Sequence, residues 1–108
     1  MGVAMGEQPA MTPLDLAVVD GLATIRGEID LSTAPRVAHW LTTLPDPLHV
    51  DLRGVTFMDT AGLHALVSAR RHNPTMRVVH SSPAVVRLLQ ISGLVDYLGG
   101  GDEGANFI

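Results

Sequence analysis

The 108-residue chain has no cysteine. Disulfide bonds, thiol catalysis and thiolate metal ligation are therefore excluded. It also has no lysine: its seven basic residues are all arginine, against eleven acidic residues, for a net charge of −4. That balance leaves no basic stripe for a phosphate backbone and points away from nucleic acid as a partner. Aromatic residues make up 4%, too few for the stacking platforms that hold single strands. No apolar run approaches the roughly 20 residues that a spanning helix needs, so membrane insertion is not expected. The opening MGVAMGEQPAM lacks the basic start and long apolar stretch of a secretory signal. The cytosol is the expected location.

What is present reads as one folded domain. Hydrophobic residues reach 46% and charged residues 17%, a composition that can bury a core at this length. Residues 1–12 carry no periodic pattern and are expected to be a flexible N-terminal tail, with the domain over 13–108. Leu14, Leu16 and Val18 alternate with Asp15 and Ala17, as in a strand. Asp20-Gly21 is a two-residue hairpin signal, and Leu22, Ala23 and Ile25 supply a second strand. Gly27-Glu28-Ile29-Asp30 reads as a loop. Ser32 or Thr33 can cap a helix whose apolar face is Ala34, Val37, Ala38, Leu41 and Leu44, stopped by Pro45-Asp46-Pro47. Residues 48–52 read as a short buried strand, 61–72 as a helix and 76–80 as another strand. Ser82-Pro83 opens a third helix that ends near Ser92-Gly93. Residues 94–98 are expected to form a last strand or turn, and GGGDEGANFI a flexible end. The order ββαβαβα implies an α/β fold: a mixed four- to five-stranded sheet, parallel in its centre, with amphipathic helices packed on it.

No catalytic constellation emerges. The five histidines, at 39, 49, 64, 72 and 80, form no H-x-x-x-H pair, so no metal site is expected. A G-x-S-x-G elbow and a phosphate-binding G-x-x-x-x-G-K-[ST] loop are both missing. Asp51 lies on a strand and is not aimed at the turn where Asp59 sits. No cofactor is implied, and the chain is not expected to be an enzyme.

Two strand-to-helix seams remain: Gly27-Glu28-Ile29-Asp30 and Asp59-Thr60-Ala61-Gly62. In a sheet with parallel central strands, such seams gather on one edge. Thr60 has two readings. Its hydroxyl can cap the following helix, worth about 1 kcal/mol. It can also accept a phosphate, which adds about −1.5 to −2 charges beside Asp59, with the helix N-terminus offsetting part of that charge. Gly62 permits close backbone approach in the turn.

These residues carry a resemblance. The stretch VDLRGVTFMDTAGL, residues 50–63, resembles the signature of STAS domains, and within them the anti-sigma factor antagonists. Gly27-Glu28-Ile29-Asp30 with Thr33-Ala34 resembles a second family segment. Ser82-Pro83 through Val85, Leu88-Leu89 and Ser92-Gly93-Leu94 resembles a third. The resemblance implies a STAS fold and a non-enzymatic switch protein. Such a protein binds an anti-sigma factor, commonly a serine/threonine kinase, and so frees a sigma factor for transcription. The kinase phosphorylates the residue after the signature aspartate, the modified form lets go, and a phosphatase restores binding. Carried over residue by residue, the acceptor is Thr60 and the partner-binding positions are Asp30, Asp59, Thr60, Ala61, Gly62 and Leu63. Two departures stand out: threonine where many members have serine, and Ala61 where a second hydroxyl is common. A second STAS class shows a similar D-T-A-G-L run and a short C-terminus: subunits of phospholipid-trafficking ABC transporters, which bind the ATPase. Small-ligand or nucleotide sensing on the same fold is a third reading.

Overall fold

The computed structural model describes residues 14–99. Both expected flexible ends, 1–12 and most of GGGDEGANFI, lie outside the described residues. Eight elements follow one another: β1 (Leu14–Val19), β2 (Leu22–Ile29), α1 (Ala34–Thr42), β3 (His49–Met58), α2 (Thr60–His72), β4 (Arg77–Ser81), α3 (Pro83–Ser92) and α4 (Val95–Leu98).

The four strands form one mixed sheet in the order β1-β2-β3-β4. β1 and β2 are antiparallel and pair from Leu14↔Gly27 to Val19↔Leu22. Asp20 and Gly21, at φ 52° and 80°, close the hairpin, the positive-φ pair that a type I′ turn requires. β2 pairs with β3, and β3 with β4, in parallel, because each connection crosses over through a helix. The core gathers the inward residues of the sheet and the apolar faces of the helices. Ile25, Ile29, Val37, Leu41, Leu52 and Leu66 are all fully buried, each worth roughly 1.5–3 kcal/mol of apolar transfer. α1 packs against α2, and α3 packs on β3.

Three expectations are corrected. Gly27, Glu28 and Ile29 are not loop; they are the end of β2, paired with Val55, Phe57 and Met58. Gly27 sits at φ 109°, beside a register shift, so the glycine marks an irregularity within the strand rather than its end. β3 does not stop at residue 52 but runs on to Met58. Gly54 sits within it because a Cβ there would lie 2.7 Å from Arg26 Cγ. Residues 94–98 form neither strand nor turn but the one-turn helix α4, docked where Tyr97 meets Arg70 at 4.9 Å from the guanidinium to the ring centroid.

The third helix matches its sequence signals closely. The Ser82 side chain accepts from the Val85 amide, Pro83 opens the helix, and Gly93 ends it in the left-handed region at φ 74°.

Candidate functional site: the edge where β2 and β3 end

β2 and β3 are parallel neighbours, so their C-terminal ends lie side by side. Ile29 pairs with Met58, and the Asp59 amide then donates to the Ile29 carbonyl at 3.3 Å. The two seams that the sequence singles out are thereby joined in one edge, each running straight into a helix.

On the first seam, Asp30 organises the turn into α1. Its Oδ1 accepts from the Ser32 hydroxyl at 2.7 Å, the Ser32 amide at 2.9 Å and the Thr33 amide at 3.1 Å. The Ser32 hydroxyl above all, helped by both amides, holds the Asp30 carboxyl below its ordinary pKa. Thr33, not Ser32, stands at the helix N-cap position, yet its side chain makes no cap bond. Its hydroxyl instead accepts from the Asp30 amide and donates to the Glu28 carbonyl, both at 2.9 Å. The side chain thus locks the turn back onto the end of β2.

On the second seam, the capping residue is Asp59 rather than Thr60. The Asp59 backbone is extended, and its Oδ1 accepts from the Ala61 amide at 2.9 Å and the Gly62 amide at 3.2 Å. Thr60 is the first residue of α2, with its side chain exposed. A carboxylate at this position satisfies first-turn donors and also faces the positive end of the helix dipole. The Thr60 hydroxyl is thereby left out of the cap and presented to solvent.

Beneath Thr60 the edge is closely packed. A Cβ on Gly62 would lie 2.6 Å from Met58 Cγ, 2.8 Å from the Ile29 carbonyl oxygen and 2.9 Å from Ile29 Cγ2. Glycine is required here by space, so that α2 can start directly against the end of β2. Gly62 and Leu63 are buried and Ala61 is half-buried. Of the six positions carried over by resemblance, Asp30, Asp59 and Thr60 reach the surface most directly, while Gly62 and Leu63 shape the edge from below.

Two residues of this edge escaped the sequence reading. Leu31 is 79% exposed and Phe57 is 47% exposed. Leu31 stands in the turn just after Asp30, and Phe57 pairs with Glu28 at the end of β3. An apolar residue inside a D-x-S-T turn is a readable signal for Leu31. Phe57 could be found by carrying the strand register beyond Leu52.

Asp51 is apart from this edge, as its place on a strand implied. It is buried and bound to Arg53, Oδ2 to Nη2 at 2.8 Å, with the Arg53 amide at 2.9 Å from Oδ1. Burial works to raise the Asp51 pKa, but the Arg53 guanidinium and amide outweigh it and hold the carboxyl below its ordinary value. Two surface cavities, of about 410 and 390 Å³, are lined by none of the edge residues. Among the described residues no group of three or more potential ligands is placed to hold a metal ion, and no helix is long and apolar enough to cross a membrane.

The mixed sheet delivers two helix starts to this one edge, and the STAS domain model matches residues 14–102. The chain belongs to the STAS domain family. Among solved structures it is similar to an anti-sigma factor antagonist from Mycobacterium paratuberculosis, with 27% sequence identity, a TM-score of 0.65, and coverage of 80% of this chain and 81% of that one. No curated protein matches the sequence.

Proposed function

We propose that the chain is a cytoplasmic anti-sigma factor antagonist. It binds an anti-sigma factor of the serine/threonine kinase type through the edge formed by Asp30, Leu31, Phe57, Asp59 and Thr60, and so frees a sigma factor. Phosphorylation of Thr60 ends the contact, and a phosphatase restores it. The observation that carries this reading is the exposed side chain of Thr60 beside Asp59, with Asp59 taking over the capping. A hydroxyl in the cap would have to leave its amide partners before it could be modified. This one is accessible without any loss of helix structure.

The fold supports the same reading, because the similarity to an anti-sigma factor antagonist extends over four fifths of both chains. Asp30 and Asp59 put negative charge beside the acceptor. A phosphate would add about two more negative charges to that edge, which disfavours a partner that approaches it by like-charge repulsion and by bulk.

The direct test is incubation of the chain with an anti-sigma kinase and ATP, followed by mass spectrometry. Phosphate is expected on Thr60, and none there in Thr60→Ala. Modification elsewhere, or stable association with an ABC-transporter ATPase instead of the anti-sigma factor, would replace this reading with the transporter-subunit one.

A further inference from the structure

Thr60 and His64 are both exposed on α2, four residues apart. That spacing makes them neighbours on one helix face, with Cβ atoms about 5–6 Å apart. Each Cα–Cβ bond in a helix tilts toward the N-terminus. A side chain at position 64 can therefore reach back toward the first turn, where Thr60 stands.

First-turn amides ordinarily receive an anion at a helix start. Here the Ala61 and Gly62 amides are already held by Asp59 Oδ1, and the Leu63 amide bonds to the Asp59 carbonyl at 3.1 Å. A phosphate on Thr60 arrives beside one carboxylate, with Asp30 on the adjoining seam. Arg70 and Arg71 are in the last turn of α2, more than two helical turns away. Arg36 is exposed in the first turn of the neighbouring α1.

We propose that His64 is the positive partner of a phosphoryl group on Thr60, holding it over the first turn of α2. The proposal rests on Thr60 being the acceptor, as argued above. A basic side chain one turn along can pair with the phosphate without displacing Asp59 from the cap. The helix start then survives modification, and the change is confined to the surface offered to a partner. His64 acts here as a positioning residue on the modified form and takes no part in phosphoryl transfer.

The test uses full-length chain with phosphothreonine installed at position 60 during synthesis, so that no kinase is needed. The phosphate is titrated by ³¹P NMR in the otherwise native chain, in His64→Gln, in His64→Arg and in Arg36→Ala. His64→Gln is expected to raise the second pKa of the phosphate by roughly 0.3 units, the size of an exposed i,i+4 ion pair. His64→Arg is expected to restore the native value or lower it further, and Arg36→Ala to leave it in place. A His64→Gln titration that superimposes on the native one overturns the proposal, as does a shift produced by Arg36→Ala alone. Far-ultraviolet circular dichroism of each variant confirms folding, which substitution at an exposed position leaves intact. The ³¹P result is independent of any partner. If His64 holds the phosphate but phosphorylation leaves partner binding unchanged, the switch reading fails while this one stands.

Discussion

The Asp59 carboxylate caps α2 by accepting from the Gly62 amide at 3.2 Å, and Gly62 in turn has no room for a side chain against Ile29 and Met58. The residue that starts the helix and the one that lets it start so close to the sheet are three positions apart. Between them stands Thr60, exposed and outside the cap.

That arrangement separates two adjacent residues by their stability effects. Asp59→Ala should cost about 1 kcal/mol, the usual loss of a side-chain cap. Thr60→Ala should stay within about 0.5 kcal/mol, as at other surface positions free of structural partners. Urea denaturation of both variants at neutral pH measures the difference. A larger loss in Thr60→Ala than in Asp59→Ala would return the cap to the threonine.

Gly62→Ala sets helix propensity against space. Alanine improves an exposed helix interior by about 1 kcal/mol. Here the new Cβ would meet the Ile29 carbonyl oxygen, a backbone atom, at 2.8 Å. Overpacking of this kind costs typically about 1–3 kcal/mol, so a net loss of stability is expected. The thermal midpoint of the variant checks it; an increase would mean that β2 and α2 move apart freely.

Acid should weaken the fold through Asp51. Its folded pKa is depressed below the unfolded value of about 3.9. Its contribution is therefore complete above that pH and is lost as pH falls through the folded pKa, because the unfolded chain then binds the proton more readily. Arg53→Ala removes the guanidinium that helps lower the pKa and leaves the backbone amide in place. Stability measured in urea between pH 6 and pH 3 should then fall less steeply in Arg53→Ala than in the native chain.

Leu31 should matter for binding and not for folding. Its side chain is 79% exposed, so Leu31→Ala is expected to leave the denaturation midpoint unchanged. If it anchors the partner, its truncation weakens binding about tenfold, the effect of roughly 1.4 kcal/mol at an interface residue. Isothermal titration calorimetry with the anti-sigma factor measures this, with Ile91→Ala, exposed in the last turn of α3, as a neutral comparison.

The parts of the fold legible in the sequence were those specified by local chemistry. Asp20-Gly21 declares its hairpin because few other residue pairs accept positive φ at both positions. Ser82-Pro83 and Gly93 declare both ends of α3 for similar reasons. The reach of β2 and β3 was hidden. Gly27 and Gly54 both read as strand breakers, and only their pairing across the sheet and the room that Arg26 needs explain their places. The capping of α2 was misassigned by one residue, because aspartate and threonine are both good caps. The deciding factor is where the extended backbone of β3 ends, which composition does not encode. The edge itself was found from two strand-to-helix seams, but Leu31 and Phe57 were missed. Their exposure follows from a turn geometry and a strand register that become visible only in three dimensions.

The central claim is that one modification on an exposed edge decides whether a partner is held. The most direct measurement is the equilibrium affinity of the anti-sigma factor for the unmodified chain and for the chain phosphorylated at Thr60, at the same ionic strength. Binding should weaken at least a hundredfold on phosphorylation, and partly so in Thr60→Glu. Equal affinity for the two forms would contradict the claim.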